Sequence, residues 1–127
     1  MASITSFEEL EIWKLARELC LQVRILTRKE QFSKDYRFYV QFNSAAGSIM
    51  DNIAEGFERD GNKEFINFLY IAKGSNGKVR SQFFRALDAG FIDTLEQGEV
   101  LRLTDVLKFK IQGLIKVLKN SGGKGYK

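Results

Sequence analysis

Apolar residues recur along this chain at spacings of three and four, the repeat of one face of an α-helix, in four long runs. The first, from about Phe7 to about Lys29, sets Ile12, Trp13, Ala16, Leu19, Cys20 and Val23 on one stripe. The second, from about Asp35 to about Glu58, turns Phe38, Tyr39, Phe42, Ala46, Ile49, Met50, Ile53 and Phe57 inward. The third, from about Lys63 to Ala89, presents Phe65, Phe68, Ala72, Val79, Phe83, Ala86 and Leu87. The fourth opens at Thr94 and presents Val100, Leu103, Leu107, Ile111, Leu114 and Leu118.

Punctuation between the runs agrees with this reading. Ser6 with Glu9, and Thr94 with Gln97, fit capping boxes, in which the side chains at the first turn accept backbone N–H groups. Glu30 to Lys34 carries no helical period and reads as a link, Asp60-Gly61-Asn62 as a turn and Gly90 as a helix stop. No alternating strand pattern, fixed-period repeat or long linker occurs. The expected fold is therefore all-α, an antiparallel up-down-up-down four-helix bundle, in a single domain over residues 1–120 with a flexible basic tail over 121–127.

Two features exceed what a simple bundle needs. The centre of the second helix is built of small residues, Ser44, Ala45, Ala46, Gly47 and Ser48, which predict close approach of a neighbouring helix. Helices one and three each carry a second stripe: Phe7, Leu10, Lys14, Arg17, Leu21, Ile25 and Arg28 on one, and Ile66, Tyr70, Lys73, Gly77, Arg80 and Phe84 on the other. The apolar members, Phe7, Leu10, Leu21, Ile25, Ile66, Tyr70 and Phe84, are expected to contact another subunit, the alternative being that one stripe flanks a wide core. Gly74 and Gly77, inside helix three, cost about 1 kcal/mol each relative to alanine, and so predict either a close approach or a local loosening.

Composition narrows the chemistry. The 127 residues include no proline, which suits long helices, and no histidine, which removes the commonest general base and zinc ligand. With a lone cysteine, Cys20, neither an intrachain disulfide nor a Cys/His zinc site can form, and Cys20 reads as a small hydrophobe within its stripe. No pair of carboxylates is marked as special, so the expectation is a protein that is not an enzyme and uses no metal or cofactor. The chain opens with no leader pattern and carries no membrane-spanning run, which predicts a cytoplasmic protein.

Charge points instead to a polyanion. The formal net charge is +4, with an excess of basic over acidic groups of +1 in residues 1–29, −3 in 30–61, +2 in 62–93 and +4 in 94–127. Lys73, Lys78, Arg80, Arg85, Arg102, Lys108, Lys116 and Lys119 are the candidate nucleic-acid-binding residues. Neither a zinc finger nor the aromatic-bearing sequence of an RNA-recognition sheet is present, so contact would be mainly with phosphates. The competing reading is a structural or protein-interaction oligomer whose charge confers only solubility. An enzyme would require an unexpected acidic cleft.

Three segments together resemble the four-helix-bundle family of 23S ribosomal RNA intervening-sequence proteins: Phe7 to Ala16, Ser44 to Phe57 and Lys63 to Ser75. The signature is N-I-A-E-G, Asn52, Ile53, Ala54, Glu55 and Gly56, followed closely by K-E-F-x-x-F-L. The resemblance implies a cytosolic bundle assembling as a ring-like homopentamer, and a related branch, the accessory proteins of diversity-generating retroelements, works with RNA. This chain departs from the family pattern at Met50, where proline is common, and at Asn76-Gly77-Lys78, which replaces a more acidic stretch. Asn52 and Glu55 lie off the apolar face of their helix and are expected to bond to a neighbouring helix or subunit.

Overall fold

The computed structural model describes residues 4–121, and every described element is helical. A single 3-10 turn, Phe7–Glu9, precedes α1 (Glu11–Leu26), and α2 (Glu30–Ser33) is one turn long. Three long helices follow, α3 (Tyr36–Glu58), α4 (Asn62–Asp88) and α5 (Thr94–Lys119). α3 packs against both α1 and α4, and α5 against both α4 and α1, so the four long helices close a square around one core. The fold is the expected helical bundle.

Its details depart from the periodicity in instructive places. The capping box of Ser6 and Glu9 forms, but it caps the 3-10 turn rather than a long first helix. Leu10 is extended, with ψ 128°, and starts α1 afresh. Burying Leu10 to 3% exposure holds this break and brings Phe7 edge-on to Trp13, with ring centroids 5.2 Å apart. Leu10 is thus a core residue and not part of an outer stripe.

The expected link Glu30 to Lys34 contains the turn α2 because Phe32 is drawn wholly into the core, against Phe38, Phe42 and Phe91. The inward faces also shift slightly. Leu69 is buried where Phe68 was expected, and Ile115 where Leu114 was; Trp13, Cys20, Tyr39 and Met50 are only half-buried. α4 also buries Asn76 and Gln82, polar residues that an apolar stripe does not reveal.

Turn chemistry matches the sequence more closely. Gly61 and Gly90 have φ of 84° and 77°, the left-handed region that glycine enters without a Cβ penalty. After Gly90, the Phe91 N–H donates to the Ala86 carbonyl and the Gly90 N–H to that of Leu87, closing α4 with a Schellman motif. The box that opens α5 is Asp93 with Glu96, one residue earlier than Thr94 with Gln97. Asp93→Ala is therefore expected to cost about 1 kcal/mol in urea unfolding, whereas Thr94→Ala stays within about 0.5 kcal/mol. Equal losses would contradict the observed cap.

Ser121, assigned to the tail, belongs to the end of the bundle: its hydroxyl donates to the Leu118 carbonyl and accepts from Asn62 at the start of α4. The rest of the expected tail, 122–127, lies outside the described residues.

Candidate nucleic-acid interface

α4 and α5 run antiparallel in a register marked by side-chain bonds. Asn62 Nδ2 donates to the Leu118 carbonyl at 3.4 Å, and fourteen residues further along α4, Asn76 Nδ2 donates to the Thr104 carbonyl at 3.0 Å. One turn on, Arg80 Nη1 donates to the Leu101 carbonyl, to Thr104 Oγ1 and to Asp105 Oδ1, at 3.2, 3.0 and 2.8 Å. Thr104 Oγ1 in turn donates to the Leu101 carbonyl at 2.7 Å. Together these bonds lock the two helices side by side, and a groove follows their seam.

The groove consists of two adjoining depressions. One, of about 380 Å³, includes Lys73, Arg80 and Lys108 over Gly74 and Gly77. The other, of about 360 Å³, includes Lys116, Lys119, Gln112 and Asn120, and shares Tyr70 and Lys73 with the first. The glycines give the groove its depth, since a Cβ built at either meets nothing within 4 Å. Among the described residues neither alternative expected for these glycines occurs: α4 is helical through both, and no other described residue comes within 4 Å of a Cβ built at either. They leave a floor open to whatever enters from outside.

Electrostatics make the groove positive. Lys73, Lys108 and Lys116 have no ion-pair partner among the described residues. Lys119 Nζ donates to the Tyr70 hydroxyl at 2.7 Å and lies 5.2 Å from the centroid of that ring. Only Arg80 is neutralised, by Asp105, and its three bonds make it a clamp between helices as much as a surface charge.

Of the eight candidate basic residues, the structure therefore brings five together, Lys73, Arg80, Lys108, Lys116 and Lys119. Lys78 is exposed on α4 but lines neither depression. Arg85 is elsewhere, its guanidinium 4.6 Å from the centroid of Phe38 on α3. Arg102 lines a small site of about 80 Å³ between α1 and α5 together with Glu18, Gln22 and Glu99. Sequence reasoning placed Tyr70 only at an oligomer contact and passed over Gln112 and Asn120; pairing α4 with α5 in antiparallel register would have found all three.

The apolar candidates divide as well. Leu21, Ile25, Tyr70 and Phe84 are exposed, Phe7 and Ile66 half-buried, and Leu10 buried. Three unforeseen apolar residues stand open on the outer side of α5: Leu95 and Phe109 are 73% and 76% exposed, and Val117 is also exposed. A further depression of about 510 Å³ between α1 and α3 includes Cys20, Leu21 and Met50, with Lys14, Arg17 and Arg24 also lining it. Burial pushes the Cys20 thiol up from its usual pKa, which agrees with an inert residue.

The five signature residues lie in the last two turns of α3, and among the described residues Asn52 and Glu55 bond along α3 and to its C-cap, not directly to a neighbouring helix as expected. Asn52 Nδ2 donates to the carbonyl and the hydroxyl of Ser48, at 2.8 and 3.0 Å, and the Ser48 hydroxyl is 2.9 Å from that of Ser75 on α4. Ile53 is fully buried and Ala54 half-buried. Glu55 pairs with Arg59 at 2.8 Å and, as the main cause, raises the guanidinium pKa by accepting its hydrogen bond. Gly56 is a point of close approach between α3 and α4: a Cβ there would stand 2.6 Å from Phe68 Cβ and 3.1 Å from Phe65 Cδ1. Of the small central residues, Gly47 does not play this part, since a Cβ there meets nothing within 4 Å, whereas Ala45 and Ala46 are buried and Ser48 reaches Ser75 across the two helices.

Among the described residues no group of three or more Cys, Asp or Glu side chains could hold a metal ion, and no helix is long and apolar enough to cross a membrane. The crystal structure of a protein of unknown function from the S23 ribosomal protein family of Bacteroides thetaiotaomicron is similar in fold. Its TM-score is 0.76 at 18% identity, over 83% of this chain and 98% of that one. No curated protein is significantly similar to the chain. The sequence profile described as 23S rRNA-intervening sequence protein matches residues 8–113, most of the bundle, and the chain belongs to that family.

Proposed function

We propose that this protein is a non-enzymatic, self-associating helical scaffold that binds RNA or another nucleic acid along the α4–α5 groove. The observation that carries the reading is the convergence of Lys73, Lys108, Lys116 and Lys119 on one seam where, among the described residues, the only ion pair is that of Asp105 with Arg80. A row of cations along a groove attracts a chain of phosphates, and each phosphate neutralised releases condensed counterions. The absence of histidine in the sequence argues for a binding role over acid–base chemistry.

Self-association is supported by the open apolar side chains, Leu95, Phe109 and Val117 on α5 and Leu21 and Ile25 on α1, which water would otherwise cover. A homopentamer, the assembly that the family resemblance implies, would have five times the 14.6 kDa chain mass. The same exposed side chains favour a second reading, an oligomer that interacts only with proteins.

Binding of structured RNA and duplex DNA across a salt series decides between them, on protein whose mass has been set by light scattering in the same buffer. The nucleic-acid reading expects micromolar or tighter binding at about 50 mM salt, with log K falling against log salt at a slope of about −3 or steeper. No binding by the intact oligomer at low salt would leave the protein-only reading standing.

A further inference from the structure

On the same nucleic-acid reading of this groove, we infer that it takes a single strand with unpaired bases, and that Tyr70 and Phe84 stack on those bases while the lysines hold the phosphates. Tyr70 and Phe84 are 45% and 46% exposed, so both rings are open to a ligand. At 100° per residue, Tyr70, Gly74, Gly77 and Phe84 fall within about 80° of arc on α4, so the two rings bracket the glycine floor. Fourteen residues separate them, a rise of about 21 Å along the axis, the span of a few nucleotides of extended strand. Lys73 and Lys108 border the floor at Gly74 and Gly77, Lys116 and Lys119 lie on the other side of Tyr70 from it, and Phe84, which lines neither depression, continues the same face of α4 one turn beyond Arg80.

The arrangement suits a single strand better than a duplex. In a duplex the base faces are already stacked on one another, so exposed rings gain nothing and lysines alone would serve. Unpaired bases offer π-faces that aromatic side chains can receive, and rings interleaved with cations provide both contacts in one groove. Lys119 already donates to the Tyr70 hydroxyl, which places its ammonium where a phosphate next to the stacked base would meet it. The floor at Gly74 and Gly77 leaves room for the nucleotides between the two rings.

Fluorescence anisotropy with the full chain provides the test, using labelled U12 and dT12 strands and a blunt twelve-base-pair duplex of mixed sequence. Both strands are expected to bind at least about 10-fold tighter than the duplex, and the difference between U12 and dT12 reports whether the ribose hydroxyl is read. Tyr70→Ala and Phe84→Ala should each weaken strand binding by about 5- to 100-fold and duplex binding by less than about 2-fold, whereas Tyr70→Trp should retain strand binding. Both rings are exposed, so circular dichroism and light scattering should show folding and oligomeric mass unchanged. Duplex binding equal to strand binding, with both alanine variants like the wild type, would overturn the inference and leave the polyanion reading intact. A drop in oligomeric mass on either substitution would assign the rings to a subunit contact and overturn it too. Failure of all three probes to bind at low salt would remove both.

Discussion

Gly56→Val is expected to destabilise the bundle by about 3 kcal/mol, and Gly56→Ala by about 1–2 kcal/mol, while Gly77→Ala stabilises it by about 1 kcal/mol. Both glycines sit inside helices, where replacing glycine by alanine normally gains about 1 kcal/mol through helix propensity. At Gly77 nothing opposes that gain, because the new methyl group enters open space. At Gly56 the new atom would stand 2.6 Å from Phe68 Cβ, an atom fixed to the backbone of α4 that cannot swing aside. The two helices must then separate, loosening the edge-on contact of Phe57 with Phe65, whose ring centroids are 5.9 Å apart. Valine adds two further methyl groups to the same crowded point. Urea unfolding followed by far-UV circular dichroism, at one fixed protein concentration because assembly shifts apparent stability, reads all three changes. A stabilised Gly56→Ala would refute the close approach of α3 and α4.

Replacing Lys73, Lys108, Lys116 and Lys119 together by glutamine should weaken nucleic-acid binding by on the order of 100-fold or more at about 50 mM salt. It should also flatten the slope of log K against log salt by about 3, since each lost phosphate contact removes roughly 0.7 to 0.9 from it. None of the four forms an ion pair among the described residues, so the bundle should remain folded. Arg80 is left out on purpose, because its bonds to α5 make its loss a change of structure as well as of charge. The control alters Lys14, Arg17 and Arg24 of the α1–α3 depression to glutamine. That variant loses three charges from another face and should bind within a few-fold of the wild type. Equal losses in the two variants would mean that net charge, and not this groove, governs binding.

Much of the fold is legible in the sequence. Spacings of three and four give the four long helices, and residues with special backbone needs mark where they stop. Gly61 and Gly90 were recognisable as turns because positive φ is the one conformation that glycine enters far more easily than other residues. The break at Leu10 was not recognisable: no proline or glycine marks it, and it is held by burial of Leu10 itself and by the Phe7–Trp13 contact. Phe32 was hidden in the same way. One aromatic in a polar link has no period, and only the pocket of Phe38, Phe42 and Phe91 turns its segment into α2.

The candidate site was half legible. A basic excess in helices three and four is a property of composition and was visible at once, but which cations act together depends on the register of two antiparallel helices. Asn76 and Arg80 set that register by bonding to Thr104 and Leu101, and neither partner can be identified from spacing within one helix. The pairing gathers Lys73 with Lys108, Lys116 and Lys119, and leaves Arg85 and Arg102 on other faces.

By itself the sequence determined the helical class, the number of long helices and the turns at Gly61 and Gly90, because these rest on interactions between residues near one another along the chain, and its motifs determined the family. Tertiary structure alone decided three further things: that Gly56 lies at a contact while Gly47, Gly74 and Gly77 face open space, that Tyr70 shares a groove with lysines, and that Leu95, Phe109 and Val117 of α5 are left exposed. The reason is physical. A glycine or an aromatic ring has the same local effect on its helix whether a neighbour stands 3 Å away or nothing does, and only the packing of one helix on another supplies that difference.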